Sequence, residues 1–261
     1  MTRLRTPTLC GMCALGAATL LSSRHASAEE WITHRYILRD GEFELSGPPV
    51  RPRMFGVDAS ENSGARPVTI APHFYWGVTD KLTLGITHER GICLDGCWAP
   101  DGEEHVYNDA GFAMLVGLGG SRRWELDLHL GVPAVYFDPL WVGVRTGVLG
   151  RVNLGRVVSF AFDPSLYVGL SNRDQGNRER LALPFWFYFQ AGAVVVPFVG
   201  SGFHGPLDDF GDQFAVPLEG GIIFDVARGV DLGFVVEFPN LFGHDGTTRF
   251  RNVGFMGRFR F

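Results

Sequence analysis

The sequence predicts an all-β protein, a transmembrane antiparallel up-and-down β-barrel of about twelve strands. Three observations carry that prediction. The chain opens on an export-type segment, apolar residues recur with a period of two nearly everywhere past residue 40, and the connections between alternating segments are tight and long by turns.

The first element is the N-terminus. Met1-Thr2-Arg3-Leu4-Arg5 is basic, a stretch rich in small and apolar residues runs from about Pro7 to Leu21, and Ala26-Ser27-Ala28 precedes Glu29-Glu30. A basic head, a short apolar run and an A-x-A site are the three parts of a secretory signal peptide. The apolar run, about fifteen residues, falls short of the roughly 20 that a spanning helix needs. A retained anchor is the lesser alternative, and a lipoprotein reading is weaker because the apolar run continues past Cys10 and Cys13. The expected division is a signal peptide over 1–28 and a barrel over 29–261. Within the latter, 29–41 is undecided between a periplasmic tail and the start of the first strand.

Processing would remove Arg3, Arg5 and Arg24, taking Lys+Arg from 23 to 20 against 28 Asp+Glu, a formal charge of −8. So acidic a chain argues against nucleic acid as a partner. Cys93 and Cys97 would remain, close together in what reads as one loop. In an oxidising compartment two such thiols are expected to form a disulfide. A metal site would need two more ligands, for which only His88 and His105 are near, so neither a metal nor a cofactor is expected.

Strands are placed near 42–57, 67–78, 81–89, 109–119, 123–135, 141–153, 157–170, 180–190, 193–202, 213–226, 231–239 and 249–261. In the fifth, Trp124, Leu126, Leu128, Leu130 and Val132 share one face while Glu125, Asp127, His129 and Gly131 share the other. Such a strand is greasy on one side and charged on its opposite side. Leu82, Leu84 and Ile86 alternate with Thr83 and Gly85 in the third strand, and Val142, Val144 and Val148 alternate with Arg145 and Arg151 in the sixth. Phe185, Phe187 and Phe189 alternate with Trp186 and Tyr188, and Leu232, Phe234 and Val236 with Asp231 and Gly233. The greasy faces run about ten positions, enough to cross a bilayer at a tilt.

Connections 79–80, 120–122, 154–156, 191–192 and 227–230 are tight; 58–66, 90–108, 136–140, 171–179, 203–212 and 240–248 are mostly longer. Tight periplasmic turns opposite longer outer loops suit such a barrel. Pro72, Pro133, Pro164, Pro184, Pro197 and Pro217 fall inside these strands, and proline cannot donate to a ladder. Ten or fourteen strands therefore stay open.

The chain ends Gly254-Phe255-Met256-Gly257-Arg258-Phe259-Arg260-Phe261. This alternating aromatic terminus resembles the C-terminal signature of Gram-negative outer-membrane β-barrels, and Tyr75-Trp76-Gly77-Val78-Thr79-Asp80-Lys81 looks like one of their periplasmic hairpins. The resemblance is to the class and covers the mature chain. It implies location in the cell outer membrane, contact with outer-membrane lipid, and reading of Phe261 by the barrel-assembly machinery. It implies nothing about oligomeric state. Trp76, Trp124 and Trp141 are expected on the lipid side as interfacial anchors.

The lumen-lining candidates are His73, Glu125, Asp127, His129, Arg145, Arg151, Asp163, Glu219, Asp225, Asp231, Glu237, Arg258 and Arg260. Both charge signs are present. They support a narrow porin-like channel selecting small polar solutes, as rings of charge do. The alternative is a non-conducting structural or surface-interaction barrel plugged by its own ion pairs. No catalytic site is expected. Glu125, Asp127 and His129 form a row about 6–7 Å apart, not a closed ligand set. No His-x-Ser pair occurs in the mature chain. His204, Asp208, Asp209 and Asp212 read as a solvated acidic loop.

Overall fold

The computed structural model describes residues 31–46, 55–58, 68–88, 91–98, 102–107, 109–243, 246 and 252–261, with the side chains of Phe55–Asp58, Asp95, Cys97 and Trp98 left aside. The export segment and its cleavage site lie outside the described residues.

The described residues form one closed antiparallel sheet of twelve strands. We number them β1 (Phe43–Ser46 and Phe55–Asp58), β2 (Val68–Ile70 and His73–Thr79), β3 (Leu82–Thr87 and Ile92–Trp98), β4 (Glu104–Tyr107 and Ala110–Gly120), β5 (Trp124–Phe137) and β6 (Leu140–Asn153). The series continues with β7 (Val158–Phe162 and Ser165–Gly169), β8 (Arg180–Ala182 and Phe185–Phe189), β9 (Val195–Ser201 and His204–Pro206), β10 (Ala215–Ala227), β11 (Val230–Gly243) and β12 (Asn252–Arg260). Each strand pairs with its sequence neighbours. β12 closes the ring on β1 at Leu45↔Phe259 and Val57↔Val253. Closure leaves no edge, so backbone groups facing hydrocarbon find partners within the ladder.

The prolines explain why several strands come in two pieces. Pro72, Pro164 and Pro184 stand in the breaks of β2, β7 and β8. Pro217 sits at the register shift between Val216 and Leu218, where a bulge frees it from donating. Pro133 faces a lapse in the β5–β6 ladder, which runs Val142↔Ala134 and resumes at Arg145↔Gly131. Pro197 lies one residue beyond Tyr188↔Phe198, the last pair between β8 and β9. Each missing donor falls where pairing is already relaxed, so none of them ends a strand and the count of twelve stands.

At one end of the barrel the strands join tightly, as at Asp80-Lys81 and Arg228-Gly229, where Gly229 takes a positive φ of 76°. The other end differs from the sequence expectation in two places. The connection expected to be long at 136–140 is a two-residue turn at Asp138-Pro139, closed by Leu140↔Phe137. The expected loop 90–108 instead carries Ile92–Trp98 and Glu104–Tyr107 as an extension of β3 and β4 above the main wall. Cys93 and Cys97 thus sit on a strand, not in a loop, with Cys93 opposite Thr69.

Alternation along the wall separates two faces. On the outside Phe74, Phe112, Trp124, Phe234 and Phe255 are all exposed, making a continuous apolar belt. Trp76 belongs to it and stacks on Phe43 with ring centroids 6.1 Å apart. Trp141 does not. It shares the inward face with Gly143 and Arg145, because Val142 takes the lipid side, and it meets Tyr136 edge-on at 5.0 Å. Inside, Leu115, Leu149, Ala161, Val196, Ile223 and Val235 form an apolar core with Trp31 and Ile37 from the N-terminal segment.

Candidate functional site

The undecided segment near the N-terminus turns out to be neither a free tail nor a strand. Residues 31–42 enter the lumen at its tight-turn end and cross it. A single 3-10 turn, Trp31–Thr33, starts the crossing. The segment forms no ladder until Gly41 donates to the Gly77 carbonyl at 2.8 Å. Its amides are satisfied by side chains of the wall instead. Ile32 donates to Gln190 at 3.3 Å, Tyr36 to Glu125 at 3.1 Å, and Leu38 to Thr83 at 2.9 Å. A buried backbone N–H needs such a partner. Trp31 meets Tyr188 at a tilt with ring centroids 4.9 Å apart, and Arg151 and Arg258 lie over the rings of Tyr36 and Trp31 at 5.6 and 5.5 Å.

The charged residues singled out from the sequence fall into three groups. The first surrounds the crossing segment. Glu125 pairs with Arg151 at 3.3 Å and with Arg35 at 3.8 Å, and Arg151 also donates to the His34 carbonyl. Arg258 pairs with Asp231 and reaches His34 Nδ1 at 2.9 Å, while Arg260 pairs with Glu44 at 2.6 Å. Asp127 is buried in this group, and neither carboxylate oxygen has a hydrogen-bond partner. Asp225 stands opposite Asp231 across the β10–β11 ladder.

The second group lies along β10 and β11. Trp186 donates to Glu219, which stands opposite Glu237; Glu237 in turn accepts from Asn252 at 3.3 Å. The third belongs to the outer half. His129 bonds Asp163 at 3.0 Å, Arg145 donates to Ser165 at 3.2 Å, and His73 bridges Tyr75 at 3.1 Å and the His88 carbonyl at 2.9 Å. These groups are spread around and along the lumen and do not converge on one point. Among the described residues no three His, Cys, Asp or Glu side chains cluster as metal ligands.

Sequence reasoning missed Glu44, Thr83, Trp186, Tyr188 and Gln190 as partners, and the crossing segment itself. The available signal was Trp31-Ile32 and Ile37-Leu38, apolar pairs in a stretch without two-residue alternation.

Above the third group the lumen opens into a vestibule of about 370 Å³ at the outer end. Arg145 and Arg180, the rings of Tyr136, Trp141 and Tyr167, and the polar Ser165 and Asn177 line it. Asn177 is locked in place, accepting from the Tyr167 hydroxyl at 2.5 Å and donating to the Val142 carbonyl at 3.0 Å. Among these described lining residues none is acidic, although the chain as a whole is. Beside the vestibule, the outer loop is tied by Arg173 and Glu179, paired at 2.6 Å. The hydrogen bond from Arg173 holds the Glu179 carboxyl below the usual range for a glutamate.

No protein-family model and no curated relative matches the chain. Solved structures do match in fold. A KdgM porin superposes with a TM-score of 0.55 at 7% identity, over 84% of this chain and 99% of that one. A KdgM porin in complex with disordered oligogalacturonate gives 0.57 at 8% identity over 84% and 99%. A NanC porin gives 0.55 at 6% identity over 84% and 98%. At such identities the shared property is architecture. Closed ring, lipid-facing apolar belt and charged interior together are the fold of a Gram-negative outer-membrane β-barrel.

Proposed function

We propose that this channel-like barrel is a narrow outer-membrane pore for small polar solutes, with a preference for anionic ones. The vestibule carries the reading. Two arginines face the vestibule, whose described lining has no carboxylate, and the side chains of three aromatic residues stand beside them. Guanidinium groups match carboxylates in a bidentate fork, and amphipathic rings suit the apolar faces of sugar-like solutes. One neighbour in fold is a porin solved with oligogalacturonate, an acidic sugar chain, which agrees with that chemistry.

Reversal-potential measurements across a planar bilayer test it. Under a salt gradient the wild-type pore should favour anions, and Arg145→Glu or Arg180→Glu should move the reversal potential toward cations. Oligogalacturonate added on the outer side should block wild-type current more strongly than a neutral oligosaccharide of equal length. Unchanged selectivity in both variants, together with equal block by charged and neutral sugars, would contradict the reading.

A further inference from the structure

We infer that residues 31–42 are a built-in plug, closing the periplasmic half of the lumen when seated and leaving it for the pore to conduct; this rests on the channel reading above. The acceptors for its amides, Gln190, Glu125 and Thr83, lie at or on three separate strands around the ring, so the segment ties distant parts of the wall together across the opening. Ile32 and Ile37 are each 1% exposed and complete the apolar core of the interior. The wall is shaped to admit it. A Cβ built on inward-facing Gly77 would collide with the Arg39 carbonyl.

The seat is also built to be left. Before Gly41 the segment contributes no strand pairing, and β12 closes on β1 from residue 43 onward. Withdrawal of residues 31–40, with Gly41 and Glu42 staying paired to Gly77, therefore breaks side-chain bonds and apolar contacts and leaves the ladder intact. The acceptors it vacates would face a watery lumen that can rehydrate them. Arg151 and Arg258, now turned toward the segment's carbonyls and rings, would be uncovered along the solute's path.

The test uses the full mature chain carrying Ile32→Asp and Ile37→Asp together, which alters the plug and no wall residue. A second readout is Leu115→Cys, inside the same apolar core, in a Cys93→Ser/Cys97→Ser background and probed with a bulky membrane-impermeant maleimide. The plug leads to small or rare current steps and an unreactive thiol with the native segment, and to several-fold larger current and a reactive thiol with the double substitution. Equal, non-zero current in both proteins, a thiol at 115 that reacts beside the unaltered segment, or one that stays unreactive in both proteins overturns the plug. A thiol released by the double substitution with no current from either protein upholds the occluding segment and overturns the channel reading instead.

Discussion

If the apolar belt touches hydrocarbon, the penalty for placing a charge on it depends on depth, and β10 supplies both depths on one face. Val226 lies beside the tight Arg228-Gly229 turn and is 54% exposed; Ile222, on the same face, is 38% exposed and packs opposite Pro197 and Phe234. Four residues at about 3.4 Å each, tilted by about 40°, put Ile222 about 10 Å deeper. In an apolar band about 25 Å tall that is close to the midplane, so Ile222→Arg should cost about 2–4 kcal/mol and Val226→Arg about 0–1 kcal/mol. A difference of about 2–3 kcal/mol is a factor of roughly 30–150 in the folding equilibrium. Reversible urea titration of folding into phospholipid vesicles measures it, because a shift in midpoint at constant slope reports stability directly. On a water-facing sheet both substitutions would stay within about 0.5 kcal/mol. Equal costs at the two positions, or none at Ile222, would refute the assignment of this face to lipid.

Three other outcomes are expected. Glu125→Gln leaves buried Arg151 without its carboxylate and weakens the seat of Tyr36; a loss of about 3 kcal/mol in detergent unfolding is expected, partly recovered when Arg151→Gln is added, since removing one member of a buried pair costs more than removing both. The tie between Arg173 and Glu179 lowers the glutamate's pKa, so it orders the outer loop above the ordinary glutamate range and is lost as pH falls through and below about 4. Protease cleavage within 170–179 should accelerate on acidification in the wild type, and a rate in Glu179→Gln that changes just as much would count against it. Cys93 is buried, and we propose that it pairs with Cys97. Alkylation of the denatured, unreduced mature protein should then add no mass, whereas two added groups would mean free thiols.

The wall was legible because alternation is a local property. Trp124 through Val132 displays both faces of β5 in nine consecutive residues, and no distant partner is needed to read them. Trp141 was misread for the same reason in reverse. Parity counted from Val142 puts it inward, but its aromatic character near a strand end suggested a membrane anchor. The outer connections were less legible. At 90–108, glycines and charges read as loop, although Cys93 finds Thr69 on the neighbouring strand and extends the sheet. The two-residue turn at Asp138-Pro139 looked longer because Tyr136-Phe137 and Leu140-Trp141 lack clear alternation. Least legible of all was the plug. Its partners are far away in the chain, 45 residues for Leu38 with Thr83, 158 for Ile32 with Gln190 and 224 for His34 with Arg258, and nothing local marks a coil that folds into a lumen. The vestibule was half visible. Arg145 stood out as a charge of inward parity, while Arg180 and Asn177, next to or within an outer loop, gained their place only through closure.

A closed ring of twelve strands, greasy outside and polar within, is tested most directly by electrophoresis of the mature protein recovered from outer-membrane fractions, in detergent, with and without boiling. A folded barrel resists the detergent and runs anomalously until heated, so two positions that merge on boiling are the result our account requires. A single position regardless of heating, from protein that also dissolves monodisperse without detergent, would contradict it.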